Sequence, residues 1–251
     1  MRKALLSLAA IAAIPVASAS AADMALKAPP APAPAGYSWT GFYLGGEIGG
    51  GWATETTTVV TATGAAFPPG TVLSPINLDG FMGGGYAGFN YQFNQIVIGI
   101  DGDYQGADVS GTGTDTSTVD GDIAHHSDKM NWLATVTGRL GLAENNWLFY
   151  GKGGAAWAGF SASTVTNTPA GGLAASATSS DNRNGWTAGG GIEWGFAPHW
   201  SAKLEYDYVQ FDTSTYSISE VSGAGVVASP APTRSTTSSL NEVKGGVAFR
   251  F

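Results

Sequence analysis

The residues of this chain that most readily suggest chemistry are His125, His126, Ser127 and Asp128, which follow one another directly. Adjacent histidines can ligate haem iron or another metal, and a serine beside a histidine is compatible with a hydrolase. The four residues belong to a Thr-, Gly- and Ser-rich stretch that we predict to be a loop, where histidines are solvated by default. We therefore predict no catalytic residue, cofactor or metal site, and we keep His125 and His126 only as haem candidates.

Two pairs of carboxylates stand two residues apart, Asp101 with Asp103 and Glu205 with Asp207. Residues at this spacing share one face of a strand, so each pair could support acid–base catalysis. The same predicted face carries both signs of charge, and charges inside a narrow barrel must pair. We therefore predict an interior ion-pair network of seven acids and five bases, namely Glu47, Asp101, Asp103, Arg139, Lys152, Glu193, Lys203, Glu205, Asp207, Glu242, Lys244 and Arg250.

The glycine motif Gly83-x-Gly85-x-x-Gly88 formally matches a dinucleotide-binding fingerprint. That fingerprint requires a strand before it and a helix after it. Here the glycines lie inside an aromatic, alternating segment, and glycine triplets recur at 49–51 and 189–191. Glycines of this kind permit curvature and close packing in a small barrel. We therefore predict no nucleotide site.

The elements that would position these charges are strands, because apolar and polar residues alternate with a period of two. In the last segment Val243, Val247 and Phe251 occupy one face, while Lys244 and Arg250 occupy the other. Seven earlier segments alternate in the same way. The eight predicted strands are 40–52, 78–93, 95–104, 130–142, 147–157, 186–196, 200–208 and 243–251.

The connections between these segments are alternately long and short. The stretches 53–77, 107–129, 162–184 and 213–239 are long and polar, whereas the turns near Asn94, Asn146 and His199 are short. This alternation predicts an all-β fold, an eight-stranded antiparallel up-and-down transmembrane β-barrel with four long extracellular loops. Trp147 and Trp157 lie ten residues apart on the apolar face. That corresponds to roughly 25 Å along the membrane normal and predicts two aromatic girdles.

The amino terminus predicts export. Arg2 and Lys3 precede an apolar run and a small-residue site at 19–21, so we predict a signal peptide over 1–21. A Pro/Ala-rich periplasmic linker follows over 22–36, and the barrel occupies 37–251. The chain has no cysteine and a formal net charge of −8, which excludes disulfides and argues against nucleic acid as a partner.

The motifs Trp39-Thr40-Gly41-Phe42-Tyr43 and Trp200-Ser201-x-Lys203-x-Glu205-Tyr206 resemble those of a known family, as do Arg139-x-Gly141-Leu142 and the closing Arg250-Phe251. The family is the small outer-membrane β-barrel surface antigens of alpha-proteobacteria, also called porin-family or opacity-like proteins. The resemblance implies a structural surface protein of the outer membrane. It implies contact with outer-membrane lipid, lipopolysaccharide and the barrel-assembly machinery, which would read Phe251 as its signal.

Two alternatives stay open from the sequence. Relatives described as haemin binders or adhesins make a loop-mediated receptor for haemin or host surfaces the first alternative. A narrow porin is the second, because an interior lined by charges could also conduct. The packing of the interior distinguishes a porin from a closed barrel, and binding through the loops distinguishes a receptor from a scaffold.

Overall fold

The computed structural model describes residues 37–61, 68–117, 121–217, 219–222 and 233–251. The predicted signal peptide (1–21) and linker (22–36) lie outside the described residues. The described residues form ten strands: β1 (Gly41–Thr61), β2 (Ile76–Phe93), β3 (Ile96–Thr116), β4 (Ile123–Glu144), β5 (Trp147–Asn167), β6 (Leu173–Ala197), β7 (Trp200–Phe211), β8 (Ser214–Ser217), β9 (Ser219–Ser222) and β10 (Thr233–Arg250).

Eight of these strands close into a ring. Each of β1 to β7 pairs with the next, β7 pairs with β10, and β10 pairs with β1, all antiparallel. In the membrane-crossing part that the structure describes, closure leaves no open edge, which is a requirement inside a bilayer. The predicted eight-stranded up-and-down barrel is therefore confirmed. The short strands β8 and β9 add to the sheet beside β10 and β6.

The two ends of the barrel differ in their connections. At the inner end, tight turns join β2 to β3, β4 to β5 and β6 to β7. Asn94 and Asn145 adopt φ of 54° in two of these turns, a conformation that asparagine tolerates better than most residues. The outer end carries the β1–β2, β3–β4, β5–β6 and β7–β10 connections. Since the inner end also holds Phe251, we predict that it faces the periplasm.

The strands are longer than the sequence predicted. β3 continues to Thr116 and β4 begins at Ile123, so most of the predicted loop 107–129 is strand. Likewise β5 runs to Asn167 and β6 starts at Leu173, within the predicted loop 162–184. A membrane crossing needs about 9–11 tilted residues, whereas β3, β4 and β5 have 21, 22 and 21. About half of each strand therefore extends beyond the membrane, and the predicted loop boundaries were wrong.

The reason is that the outward face changes from apolar to polar along the strands. In β1, Ile48 and Trp52 point outward and Glu47 points inward. Beyond Trp52 the inward residue Val59 is apolar, and the outward residues Thr54 and Thr56 are polar. The alternation of buried and exposed positions persists, but above Trp52 the outward face is mostly threonine, while the inward face mixes Val59 with Glu55. A search for apolar outward residues therefore loses the strand where it leaves the membrane.

Register shifts on either side of β4 add to this change. The shift between Gly106 and Val109 lies in the pairing of β3 with β4, and the shift between Met130 and Trp132 lies in the pairing of β4 with β5. Trp132 keeps the outward parity of β4, whereas Met130, two residues away, is buried inside. Inserting one residue moves all later side chains to the opposite face. This shift turns His126 inward.

Candidate functional site

The candidate site is the interior of the barrel, because all the charges predicted to lie there do so. All twelve residues of the predicted network are buried and face inward. Nine of them gather at mid-height in what we call the ionic layer: Glu47, Asp101, Asp103, Lys152, Lys203, Glu205, Asp207, Glu242 and Lys244. The structure thus brings together residues from β1, β3, β5, β7 and β10.

Three lysines connect the ionic layer across the barrel. Lys152 Nζ lies 2.8 Å from a Glu205 oxygen and 3.2 Å from one of Asp207. Lys244 Nζ lies 3.0 Å from the same Asp207 oxygen. Lys203 Nζ lies 2.8 Å from Glu47. These short contacts join carboxylates that would otherwise be buried without a counter-charge, a costly arrangement.

Tyrosines complete the ionic layer. Tyr43 donates a hydrogen bond of 2.6 Å to Asp101, and Tyr150 donates one of 2.6 Å to Glu205. The ammonium of Lys203 stands 3.7 Å from the centre of the Tyr86 ring, within the range of a cation–π interaction. Each of these tyrosines reaches a charged partner on another strand, and those partners could not be read from the sequence.

The remaining three charges form an inner ionic group below the layer. Arg139 contacts Glu193 at 3.1 Å, and Arg250 contacts the other oxygen of Glu193 at 3.3 Å. Ser201 donates a further hydrogen bond of 2.6 Å to Glu193. One carboxylate from β6 therefore links β4, β7 and β10.

The inner mouth is filled by Tyr37 and Trp39, which precede β1. Trp39 is fully buried, and its carbonyl accepts a 2.7 Å hydrogen bond from Arg250. The guanidinium of Arg250 lies 5.3 Å from the Trp39 ring and 4.9 Å from the Tyr43 ring. The residues that precede β1 thus enter the inner opening of the barrel. The period-two alternation of the strands does not predict this contact.

Above the ionic layer lies an apolar cluster that the sequence analysis missed. Its members are buried side chains from most of the barrel wall: Ala53, Ile76, Leu78, Met82, Val109, Met130, Leu133, Ala156, Ala158, Phe160, Val209, Phe211 and Leu240. The rings of Phe160 and Phe211 meet edge to face at 5.4 Å. The signal that could have revealed this cluster is the inward parity of Leu240, four residues before Lys244 on the same face.

Between the apolar cluster and the outer end lies an outer polar cluster of Glu55, Asp115, His126, Asp128 and Arg183. Arg183 contacts Glu55 at 3.1 Å. His126 Nε2 lies 3.1 Å from Asp115, and its Nδ1 lies 3.1 Å from the hydroxyl of Thr164. A cavity of about 20 Å³ beside His126 and Asp128 has room for one water molecule.

Burial dominates the titration of this outer polar cluster, which lies beyond the membrane-spanning part of β4. Burial, and then the charge of Glu55, raise the pKa of Asp128 to about 7, against the opposing effect of Arg183 and Arg234. Burial and Arg234 lower the pKa of His126 below its ordinary value, although Asp115 opposes this. With a pKa of about 7, the Asp128 carboxyl changes charge near neutral pH.

The two haem candidates point in opposite directions. His126 is buried inside the barrel, whereas His125 is exposed on the outer face and lies 3.2 Å from the Thr114 hydroxyl. Neighbouring residues of a strand alternate between faces, so these two side chains cannot hold one iron together. Within the described ranges, no group of three or more His, Cys, Asp or Glu side chains is arranged to hold a metal ion.

The outer surface identifies the surroundings of the barrel. Phe42, Ile48, Trp52, Trp147, Trp157 and Val247 are among the exposed large apolar residues. Along the described part of the chain no helix is long and apolar enough to cross a membrane. A closed antiparallel barrel with an apolar, aromatic exterior and a charged interior defines the class of outer-membrane β-barrel proteins.

Comparison with known proteins assigns the family. The model of the outer membrane protein β-barrel domain matches residues 6–251, so the chain belongs to that family. It is 33% identical over 208 residues to the 31 kDa outer-membrane immunogenic protein of Brucella melitensis biotype 1, covering 80% of this chain and 84% of that protein. It is 30% identical over 187 residues to the 22 kDa outer membrane protein of Rhizobium leguminosarum bv. viciae, covering 74% and 70%.

Among solved structures, the chain is similar to the outer membrane protein OprG from Pseudomonas aeruginosa. The TM-score is 0.47 at 12% identity, and the match covers 86% of this chain and 99% of that one. The family match and the named relatives confirm the predicted resemblance and the predicted location in the outer membrane. The protein is therefore embedded in outer-membrane lipid.

Proposed function

We propose that this protein is a structural surface barrel of the outer membrane whose interior is closed, that it contributes to envelope integrity, and that it is not an enzyme. The observation that carries the proposal is the packing of the interior. The ionic layer is buried, the side chains of Tyr37 and Trp39 fill its inner side, and the apolar cluster covers its outer side.

The charge arrangement supports a structural role. Lysines of β5, β7 and β10 each reach carboxylates on other strands, so the ionic layer ties opposite walls together. An eight-stranded barrel leaves an interior that side chains can fill. Every lysine of the ionic layer lies within 4.0 Å of at least two carboxylates, so much of the buried charge is compensated inside the barrel rather than by an open aqueous path. This favours a closed barrel over a narrow porin.

Haemin binding by the paired histidines is not part of this proposal, because His125 and His126 face opposite sides. Contacts with lipopolysaccharide and with the assembly machinery are part of it. Phe251 is 73% exposed, and its backbone N–H donates a 2.9 Å hydrogen bond to the carbonyl of Phe42 on β1. The terminal aromatic is thus accessible at the seam where β10 closes against β1, where assembly machinery could bind it.

The test is conductance of the refolded protein in a planar bilayer. We expect no large steady steps from the natural chain, because the interior is filled. The matched variant is Trp39→Gly with Tyr37→Gly, which empties the inner mouth but leaves the ionic layer and the apolar cluster, so it should also conduct poorly. Insertion is checked by the different migration of heated and unheated samples on an SDS gel. Large steady steps from the natural chain would replace this proposal with a porin.

A further inference from the structure

The ionic layer contains more acids than bases. It has six carboxyl groups, on β1, β3, β7 and β10, and three lysines, on β5, β7 and β10. Six acids against three bases leave an excess of three negative charges if every group is ionised. No charged side chain of the layer is more than 3% exposed. The excess charge is therefore shut off from bulk water.

The surroundings of the ionic layer supply little more positive charge. The inner ionic group below it has two bases, Arg139 and Arg250, and one acid, Glu193. The interior network as a whole therefore still has seven acids and five bases. Above the layer stands the apolar cluster, which is uncharged. The other polar side chains that face the layer, in the described part of the chain, are uncharged groups such as Tyr43, Tyr86, Gln105, Thr135, Tyr150 and Thr187.

The upper side of the ionic layer also lacks hydrogen-bond donors. Both carboxyl oxygens of Glu242, Oδ1 of Asp207 and Oε1 of Gln105 are buried without a hydrogen-bond partner. Glu242 and Gln105 are each 0% exposed. An ionised carboxylate and an amide oxygen can only accept hydrogen bonds. Lys244, which lies 3.3 Å from Glu242, also lies within 4.0 Å of four other carboxylates. A hydrogen on a carboxyl group would supply a missing donor.

A proton is the counter-charge that these surroundings favour. An ionised carboxylate that is buried without an opposite charge is so costly that the group takes up a proton instead. The wall around the layer faces lipid through residues such as Ile48 and Val247, so the membrane does not lower this cost. A metal ion is a poorer candidate, because no group of three or more ligating side chains in the described ranges is arranged to hold one.

We infer that the ionic layer is a proton-binding site, which holds about two to three protons on its carboxyl groups at neutral pH. The inference rests on the closed interior of the proposed function. The carboxyl groups lie close together, so the protons belong to the layer as a whole and not to single residues. In the unfolded chain the same groups are ionised above about pH 4. The protein therefore takes up protons from the solvent as it folds, and its stability falls as pH rises.

The test counts the protons taken up during folding. The mature chain is refolded from urea into detergent micelles at pH 8 in weak buffer, and a pH-sensitive dye records the change. At this pH the three histidines are neutral in both states. All proteins carry Asp128→Asn, which removes the carboxyl group of the outer polar cluster. The variant is Glu242→Gln. The control is Glu144→Gln, the same change at an exposed position. The SDS gel shift confirms folding.

We expect an uptake of about two to three protons for each molecule that folds. Glu242→Gln should lower the uptake by about one proton, because one acid fewer needs compensation, and Glu144→Gln should leave it unchanged. The carbonyl band of protonated carboxyl groups in the infrared spectrum should weaken in Glu242→Gln alone. The uptake should be the same in sodium chloride and in tetramethylammonium chloride. A lower uptake in sodium chloride would show that a small cation neutralises the layer, which overturns the inference.

An absence of proton uptake by the folded chain would also overturn the inference, and this result needs no variant. The bilayer conductance then separates two failures. With low conductance the closed barrel stands and only the proton site falls. With large steady steps both fall, because water inside the barrel would solvate the carboxylates. An unchanged uptake in a folded Glu242→Gln variant would assign the protons to groups outside the layer and overturn the inference too. If this variant does not fold, the uptake and the infrared band of the unsubstituted layer decide.

Discussion

The ionic layer and the apolar cluster fill the same barrel, one directly above the other, yet they are opposite in chemistry. Where the outer surface meets lipid, the interior is built from Lys, Asp and Glu; where the outer surface is rich in Ser and Thr, the interior is built from Leu, Met and Phe. Most large apolar side chains therefore face outward in the membrane and inward above it. The face that carries most of the apolar side chains changes at the outer aromatic girdle, which includes Trp52 on β1 and Trp157 on β5.

A single strand thus crosses from lipid into water, and its two halves are stabilised in different ways. Inside the membrane, apolar groups gain little hydrophobic free energy from burial because lipid is already apolar, so interior contacts rest on packing and on polar groups. Above the membrane, water drives apolar groups into the interior, as in a water-soluble barrel. The lower half of the protein is consequently stabilised by paired charges and the upper half by the hydrophobic effect.

The largest effect should come from breaking the ionic layer at Lys244. Its Nζ lies within 4.0 Å of five carboxylates, at 3.0 Å from Asp207 and 3.3 Å from Glu242. Lys244→Met should lower the free energy of unfolding by about 3–5 kcal/mol, because it leaves the buried Glu242 without its ion-pair partner and removes one of the two lysines at Asp207. Urea unfolding in lipid vesicles measures this.

The control for Lys244 is Lys129→Met, which breaks the exposed pair with Asp108. With exposed fractions of 47% and 77%, this pair should contribute about 0–1 kcal/mol. Equal losses for the two variants would show that the interior charges are solvated and that the ionic layer is not a closed core.

A comparable but somewhat smaller loss should follow from Leu133→Ala in the apolar cluster. Leu133 is fully buried, so truncation leaves a cavity and should lower the free energy of unfolding by about 2–5 kcal/mol. Leu140→Ala is the matched control on the same strand, since Leu140 faces outward and lipid can fill the space left. If both variants lose the same amount, the interior above the ionic layer does not exclude water as the account requires.

The next largest loss of stability should distinguish two neighbouring residues of β10. Val247 faces outward and is 45% exposed, whereas Ala248 faces inward and is 1% exposed. Val247→Lys should lower the free energy of unfolding by about 2–4 kcal/mol if it lies at the bilayer midplane, and Ala248→Ser should cost much less. Urea-dependent folding into vesicles compares the two variants. Equal effects would mean that β10 does not separate lipid from the interior.

The smallest effect should be the pH dependence of the outer polar cluster, because its cavity can admit a water. The carboxyl of Asp128 titrates near 3.8 when unfolded and at about 7 when folded. The unfolded chain therefore loses this proton first, so the contribution of Asp128 to stability falls as pH rises between these values. His126, with its lowered pKa, acts in the opposite direction.

Asp128→Asn isolates this contribution, because it leaves His126 in place. Urea midpoints of the two proteins should be compared at pH 5 and pH 8. In the natural chain the contribution of Asp128 to stability is larger at pH 5 than at pH 8. The stability of the variant relative to the natural chain should therefore be greater at pH 8 than at pH 5. The same difference between the two pH values in both proteins would assign the titration to another group.

The alternation of apolar and polar residues decides which parts of the fold could be predicted from the sequence. The membrane-crossing parts, such as β1 up to Trp52, could be predicted because lipid requires apolar outward residues. The inward position of Glu47 and Lys203 followed from the same parity. The upper strands were missed because their polar residues face outward, as in a loop, and the register shift near Met130 was invisible to a period of two.

The pairing partners could not be predicted either. Parity places Lys152 and Asp207 on inward faces, but their 3.2 Å contact depends on the relative register of three strands, β5, β6 and β7. The inward turn of Trp39 depends on Arg250, more than two hundred residues away. Contacts of such sequence separation leave no local pattern, so only the three-dimensional structure reveals them.

The central claim is that the outward face of the strands passes from lipid into water at the outer aromatic girdle, which on β1 lies at Trp52. Spin labels at single cysteines test this claim most directly. The chain has no cysteine of its own, so each label is unique. Ile48→Cys and Thr56→Cys both place a label on the outward face of β1, below and above Trp52. In lipid vesicles the label at 48 should be relaxed mainly by oxygen, which concentrates in lipid, and the label at 56 mainly by a water-soluble nickel complex. The same accessibility at both positions would contradict the account.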